Sequence, residues 1–290
     1  MPFDAAFLRS LESLNLLARR VLAADDRAER LTPRKGASLE FVDYRRYTPG
    51  DEIRYIDWNV YARHGSLFIK EFAAEENVHV SILLDVSSSM SFGGKFRAAQ
   101  ELAAALGYVG LSNYDSVSLY AFGAEARPLK TFLRGKGALF ELLPAIDALR
   151  PEGATDMRAA FRTALPRLRG RSLVLLLTDF YDVEGYGEAL RALLAQRFGV
   201  HVVHLVARAE ASPELRGRCG LVDLESGRTR DVLLRPETVE AYRRRFSRFC
   251  DEVRDFCRAH EIAHARVLAE DPLEKRVVDV LRAGGILEHR

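Results

Sequence analysis

Val78-His79-Val80-Ser81-Ile82-Leu83-Leu84-Asp85-Val86-Ser87-Ser88-Ser89 decides how this chain is read. Its first seven residues are a near-continuous apolar run, the pattern of a strand covered on both faces. The run ends on a carboxylate, Asp85, followed by the hydroxyls of Ser87, Ser88 and Ser89. Two later stretches answer it. Ser172–Thr178 is a second apolar run, and it is followed by Asp179. Gly153-Ala154-Thr155-Asp156 supplies another hydroxyl and carboxylate.

Around these stretches strands alternate with helices. Lys95–Ser112 reads as a helix with Phe96, Ala99, Leu102, Ala103, Leu106 and Val109 on one side. Ser116–Phe122 alternates as a strand. Residues 128–132 form a weaker strand whose leading Pro128 suits a sheet edge. Helices are expected over 139–149, 157–168 and 187–198, and a third central strand over 200–206. Beyond these, residues 221–224 and 229–234 flank Glu225-Ser226-Gly227-Arg228 as a hairpin. A long helix starts at Pro236 with the stripe Val239, Tyr242, Phe246, Phe249, Val253 and Phe256. A strand over 265–268 follows, then a helix over 272–283 that stops at Gly284-Gly285. This alternation argues for an α/β fold with an open, mostly parallel sheet and helices on both faces. Such sheets bind ligands at the carboxyl ends of strands, near the point where strand order reverses. Asp85 and Asp179 both lie at such ends.

The first 76 residues differ. Phe7, Leu11, Leu14, Leu17, Val21 and Leu22 recur at helical spacing over 7–22. A polar stretch with Asp25-Asp26 ends that helix. Residues 38–72 are rich in Tyr, Ile, Val and Trp and read as short strands and loops. The expected organisation is an N-terminal helix with a β-rich segment over 1–76. An α/β domain with a hairpin insertion near 220–234 follows over 77–290.

The chain has 290 residues, is 48% hydrophobic, and carries 43 basic against 41 acidic residues for a net charge of +2. That balance calls for neither nucleic acid nor an anionic membrane surface. No apolar stretch reaches the roughly 20 residues of a membrane span, and the N-terminus lacks the form of a signal peptide. Cys219, Cys250 and Cys257 are odd in number and make no CxxC, which points to a reduced, cytoplasmic protein. Cys250 and Cys257 lie seven apart on the long helix and share its buried face. Arg243-Arg244-Arg245 lies opposite the apolar stripe and reads as a solvated face.

Short hydroxyl and carboxylate side chains on separate loops suit a hard cation, Mg²⁺, Mn²⁺ or Ca²⁺. The Asp-x-Ser-x-Ser spacing lets a loop turn back so that Ser87 and Ser89 face one point. A helix N-cap is the plainer reading of the pentapeptide alone. Thr155 and Asp179, in order at the same end of the expected sheet, favour the metal.

Asp85, Ser87, Ser89, Thr155 and Asp179 together resemble the metal-ion-dependent adhesion site of von Willebrand factor A domains. That resemblance implies a Rossmann-like sheet with residues 128–132 as an antiparallel edge. It also implies Ser87, Ser89 and Thr155 as direct ligands, with Asp85 and Asp179 acting directly or through water. The cation is then left free to accept a Glu or Asp from a partner protein. The stretch Tyr44-Arg45-Arg46-Tyr47-Thr48-Pro49-Gly50-Asp51-Glu52-Ile53-Arg54-Tyr55-Ile56-Asp57-Trp58, with Ala62-Arg63, resembles the signature of the bacterial family called domain of unknown function 58. Its members often occur beside MoxR-type AAA+ ATPases, which implies a partner or adaptor of such an ATPase. Tyr47, Asp51, Arg54, Asp57, Trp58 and Arg63 are expected to form a buried aromatic and ion-pair clasp, with a partner surface as the alternative.

A metal-dependent hydrolase is the competing function. His260-Glu261-Ile262-Ala263-His264 is formally HExxH, which on a helix would set two imidazoles around zinc. The long helix, however, is expected to end near Ala259. No phosphate loop of the GxxxxGK[ST] kind occurs, Ser87 lies in no GxSxG, and the histidines fit no triad order. No catalytic residue is therefore assigned. A scaffold with no metal is the third possibility.

Overall fold

The computed structural model describes residues 5–24, 40–48, 56–73, 78–168, 172–182, 185–214, 217–225 and 227–283. The chain divides into two compact units. One comprises Met1–Arg30 with Val78–Arg290, and the other is Leu31–Asn77.

The larger unit is built on a six-stranded sheet. Its strands are β3 (His79–Asp85), β4 (Ser116–Phe122), β5 (Ala126–Arg134), β6 (Ser172–Thr178), β7 (Gly199–Val206) and β10 (Ala263–Leu268), in the order β10-β7-β6-β3-β4-β5. All neighbours pair in parallel except β4 and β5, which are antiparallel. This is a mostly parallel α/β fold, with β5 as the reversed edge. Every residue of β3 is buried. Ile82, Leu83 and Leu84 have no exposed surface, each contributing roughly 1.5–3 kcal/mol of apolar burial.

The sheet carries helices on both faces. One face holds α3 (Lys95–Ser112), α4 (Leu139–Asp147), α9 (Leu273–Ala283) and α1 (Ala5–Ala24). There α3 packs against α1, α4 and α9, so it is buried nearly all round, as expected of a helix enclosed by others. Leu11, Leu14 and Ala18 of α1 join that core. The other face holds α5 (Met157–Ala164), α6 (Gly187–Ala195) and α8 (Pro236–Ala259). The helical run expected over 157–168 leaves α-geometry after Ala164 for a 3-10 turn, Leu165–Arg167. Pro166 removes the N–H that would continue the helix. In α8 the line facing the sheet is Phe246, Cys250, Val253 and Cys257. Tyr242, expected in the stripe, is 42% exposed and stacks on Phe246. The hairpin pairs β8 (Gly217–Val222) with β9 (Thr229–Leu234).

In the smaller unit, β1 (Glu40–Arg46) pairs antiparallel with β2 (Phe68–Ala73). Between them lies α2 (Trp58–His64), a helix where strands and loops were expected. Asp57 starts it: its Oδ1 accepts the Asn59 and Val60 N–H groups at 2.9 and 3.2 Å, the N-cap arrangement. The buried-clasp expectation is corrected for Trp58 and Arg63. Trp58 is 58% exposed and packs edge-on against Tyr61, and Arg63 is exposed. Asp51 and Arg54 lie outside the described residues.

Candidate metal centre

Sheet topology fixes the location. The chain leaves β3 for β4 on one side and later returns to β6 on the other. The order therefore reverses between β3 and β6, and loops leaving their carboxyl ends separate there. Asp85 ends β3 and Asp179 follows β6.

The backbone then laces two loops together. Val86 N–H bonds Phe122 O at 2.8 Å, extending the sheet by one residue. Ser88 N–H bonds Gly153 O at 2.8 Å, and Glu152 N–H bonds Val86 O at 2.6 Å. The loop after β3 is thus tied to the loop carrying Thr155. Asp156 N-caps α5 by accepting the Ala159 N–H at 2.8 Å, so it serves the helix and leaves Thr155 to the centre. After Asp179, Phe180 has φ of 62°, a sparsely populated conformation for a bulky residue. It is held by Phe180 N–H to Thr178 Oγ1 at 3.1 Å and Tyr181 N–H to Asp179 Oδ1 at 3.1 Å.

The five sequence candidates come together. Asp85 and Ser87 are fully buried, Asp179 is 1% exposed, and Ser89 and Thr155 are 8% and 7% exposed. Ser87 Oγ and Ser89 Oγ lie 3.0 Å apart. Thr155 Oγ1 lies 3.5 Å from Asp85 Oδ1, which also accepts the Ser87 N–H at 2.8 Å. Ser87 stands at the N-cap of the 3-10 helix Ser88–Gly94 yet makes no side-chain capping bond. The hydroxyls are therefore not engaged in the helix cap that the pentapeptide alone suggested.

Four residues of the centre were missed by sequence reasoning. Thr178 donates its hydroxyl to Asp85 Oδ2 at 2.6 Å. Lys95, with no exposed surface, places its ammonium 2.7 Å from Asp179 Oδ2 and against Glu210 Oε1. The same ammonium stands 4.8 Å from the Tyr181 ring centre. Glu210 lies on the short helix α7 (Arg208–Ala211), and its other oxygen accepts the Ala207 N–H at 2.8 Å. Gly93 permits this approach: a Cβ there would lie 2.2 Å from that of Ala207. The fourth residue, Glu225, comes from the hairpin. Lys95 carried a legible signal, since a basic residue at the first position of a helix opposes the macrodipole and needs an acid to hold it.

Electrostatics follow from this burial. Desolvation, and then the charge of Asp179, pushes the Asp85 carboxyl up to about 7, against the donors of Thr178 and Ser87. Burial also raises Glu210, with Lys95 pulling it back. Among the described residues, the carboxyls of Asp179 and Glu210 meet the ammonium of Lys95, and the Asp85 carboxyl lies near Asp179.

The donors fit a hard cation. An octahedral ion with bonds of about 2.0–2.1 Å spaces neighbouring ligand oxygens roughly 2.9 Å apart, close to the Ser87–Ser89 separation. The described residues contain no group of three or more His, Cys, Asp or Glu side chains that could hold a metal, so the set is hydroxyl-rich. The HExxH stretch does not form a zinc helix. α8 ends at Ala259, Glu261 has φ of 54°, and β10 begins at Ala263. His260 stacks on Phe256 and bonds its carbonyl at 2.9 Å, whereas His264 lies in the sheet beside Val202.

The family model of DUF58, protein of unknown function, matches residues 43–255. The chain belongs to the DUF58 family. Among similar proteins, the uncharacterized protein Rv1480 of Mycobacterium tuberculosis is 27% identical over 246 residues, covering 81% of this chain and 75% of that protein. Among solved structures, the conserved hypothetical protein BatB of Bacteroides thetaiotaomicron is 16% identical with a TM-score of 0.45, covering 72% of this chain and 100% of that one. A von Willebrand factor type A protein from Catenulispora acidiphila is 16% identical with a TM-score of 0.42, covering 74% of this chain and 43% of that one. No helix among the described residues is long and apolar enough to cross a membrane.

Proposed function

We propose that this DUF58 protein is a recognition module. It binds a hard divalent cation, Mg²⁺ or Mn²⁺, at the carboxyl ends of β3 and β6, and through it a carboxylate of a partner protein. One observation carries the reading. Ser87 Oγ and Ser89 Oγ stand 3.0 Å apart without a capping role, beside the buried carboxylate of Asp85. Ser87, Ser89 and Thr155 would hold the ion, and Asp85 would hold it or its water. Asp179 is shared with Lys95, so it contributes less negative charge to the ion than a free carboxylate. When bound, the cation supplies a Lewis-acidic position that prefers an anionic oxygen.

A recognition role suits these residues better than hydrolysis. The hydroxyl of Ser87 meets that of Ser89, not an imidazole base. The zinc-protease reading loses its geometry where α8 stops. A MoxR-type AAA+ ATPase is the proposed partner, on the family resemblance of the Tyr44–Trp58 stretch, and the cytoplasm the proposed compartment.

The test is binding of the purified MoxR-type ATPase from the same genome, with Mg²⁺ or with EDTA. Association in Mg²⁺ that is lost in EDTA and in Thr155→Ala is expected. Association unchanged in EDTA contradicts the proposal. Thr155→Ala is a mild change, since among the described residues that side chain makes only a long 3.5 Å hydrogen bond.

A further inference from the structure

The hairpin β8–β9 carries a carboxylate to the centre. Its turn is locally locked: Asp223 N–H bonds Arg228 O at 2.9 Å, and Gly227 N–H bonds Asp223 O at 2.8 Å. Asp223 Oδ1 accepts the Glu225 N–H at 2.9 Å. This backbone fixes Glu225 rather than leaving it to wander at a loop tip. The Glu225 side chain turns inward. Its Oε1 is sealed from solvent and finds no hydrogen-bond partner among the described residues. The carboxylate as a whole takes a hydrogen bond from the Thr155 backbone N–H and stands near the charges of Asp179, Asp223 and Asp182.

An orphaned carboxylate oxygen is costly, and here it faces other carboxylates. Lys95 does not relieve this, because its ammonium is held by Asp179 and Glu210.

We propose that Glu225 is an internal carboxylate ligand of the divalent cation, so that the β8–β9 hairpin closes the position a partner's carboxylate would take. The proposal rests on the metal reading above and adds its regulation. The free site is satisfied by its own chain, and a partner engages by displacing Glu225. The hairpin has the surface for such an exchange: Leu221, Val222, Leu224 and Leu233 are 44%, 58%, 46% and 50% exposed. A partner that lifts the turn can cover these apolar side chains.

The test uses the full chain and Mn²⁺ alone, comparing wild type, Glu225→Gln and Asp85→Asn. Mn²⁺ affinity is read by electron paramagnetic resonance, and the water exchanging on the bound ion by proton relaxation. Glu225→Gln is expected to weaken Mn²⁺ binding about tenfold or more and to raise the number of exchanging waters. Wild-type affinity and hydration in Glu225→Gln, with binding lost in Asp85→Asn, overturn the role of Glu225 and leave the metal site standing. Weakened binding with unchanged hydration overturns coordination by Glu225 and leaves only an effect of its charge. No Mn²⁺ binding by the wild type, or full binding by Asp85→Asn, overturns the site reading and this inference together.

Discussion

Lys95 governs the charge of the centre. Its ammonium is fully buried between Asp179 and Glu210, so removing it leaves two carboxylates unpaired. Breaking a buried pair from one side costs about 3–5 kcal/mol. Lys95→Met should therefore lose stability of that order in EDTA, read by urea unfolding. It should also gain more from Mn²⁺ than the wild type does, because Asp179 is released toward the ion. Equal stabilisation of both proteins by Mn²⁺ would show that Lys95 and the cation do not share Asp179. Asp85, Ser87, Ser89, Thr155 and Asp179 were legible because strand patterns mark where loops begin, and the residues there have one chemistry. Thr178 was not legible. Its hydroxyl closes an apolar strand, and only the register β3–β6 brings β6 beside Asp85. Glu210 and Glu225 lie on connections whose course over the sheet no periodicity encodes.

Elements with strong periodicity read well, and joints read poorly. Lys95–Ser112, Ser116–Phe122 and Ser172–Thr178 have the expected limits. α2 was missed because seven residues show too little helical repeat. What defines it is Asp57 at one end and Gly65, with φ of 65°, at the other. HExxH illustrates the opposite case, a motif that the expected end of the long helix near Ala259 already argued against. The five letters match a helical motif, but they straddle the end of α8 and the start of β10. His260 continues the helix cap, and His264 takes the strand's alternation. The motif is thus a coincidence of a helix stop with an inward strand position, and the helix-to-strand turn at Glu261 removes its chemistry.

At the scale of the molecule, the sheet places polar groups where water cannot follow. His201 in β7 is 1% exposed, and neither ring nitrogen finds a hydrogen-bond partner among the described residues. Burial, then the neighbouring His264, lowers its pKa to about 4. The folded form therefore binds its proton more weakly than the unfolded form, whose pKa is about 6.5. His201 is neutral and without penalty above about pH 6.5. Between there and about pH 4, where the folded imidazole itself titrates, unfolding takes up a proton and stability falls, by about 3 kcal/mol for this side chain. Replacing it with leucine should flatten that acid limb in urea unfolding measured from pH 7 to pH 4. An unchanged slope would mean that another group sets it.

The architecture also explains why the proposed metal centre lies where it does. Strand order reverses between β3 and β6, and the two apolar runs that build those strands end on Asp85 and Asp179. The most direct measurement is a Mn²⁺ titration of the wild-type chain and Asp85→Asn by isothermal calorimetry, with folding of both checked by circular dichroism. Saturable binding of a single Mn²⁺ per chain, abolished by the substitution, is the predicted result. A folded wild type with no saturable binding, or a substituted chain that binds equally well, would contradict the metal-centred account.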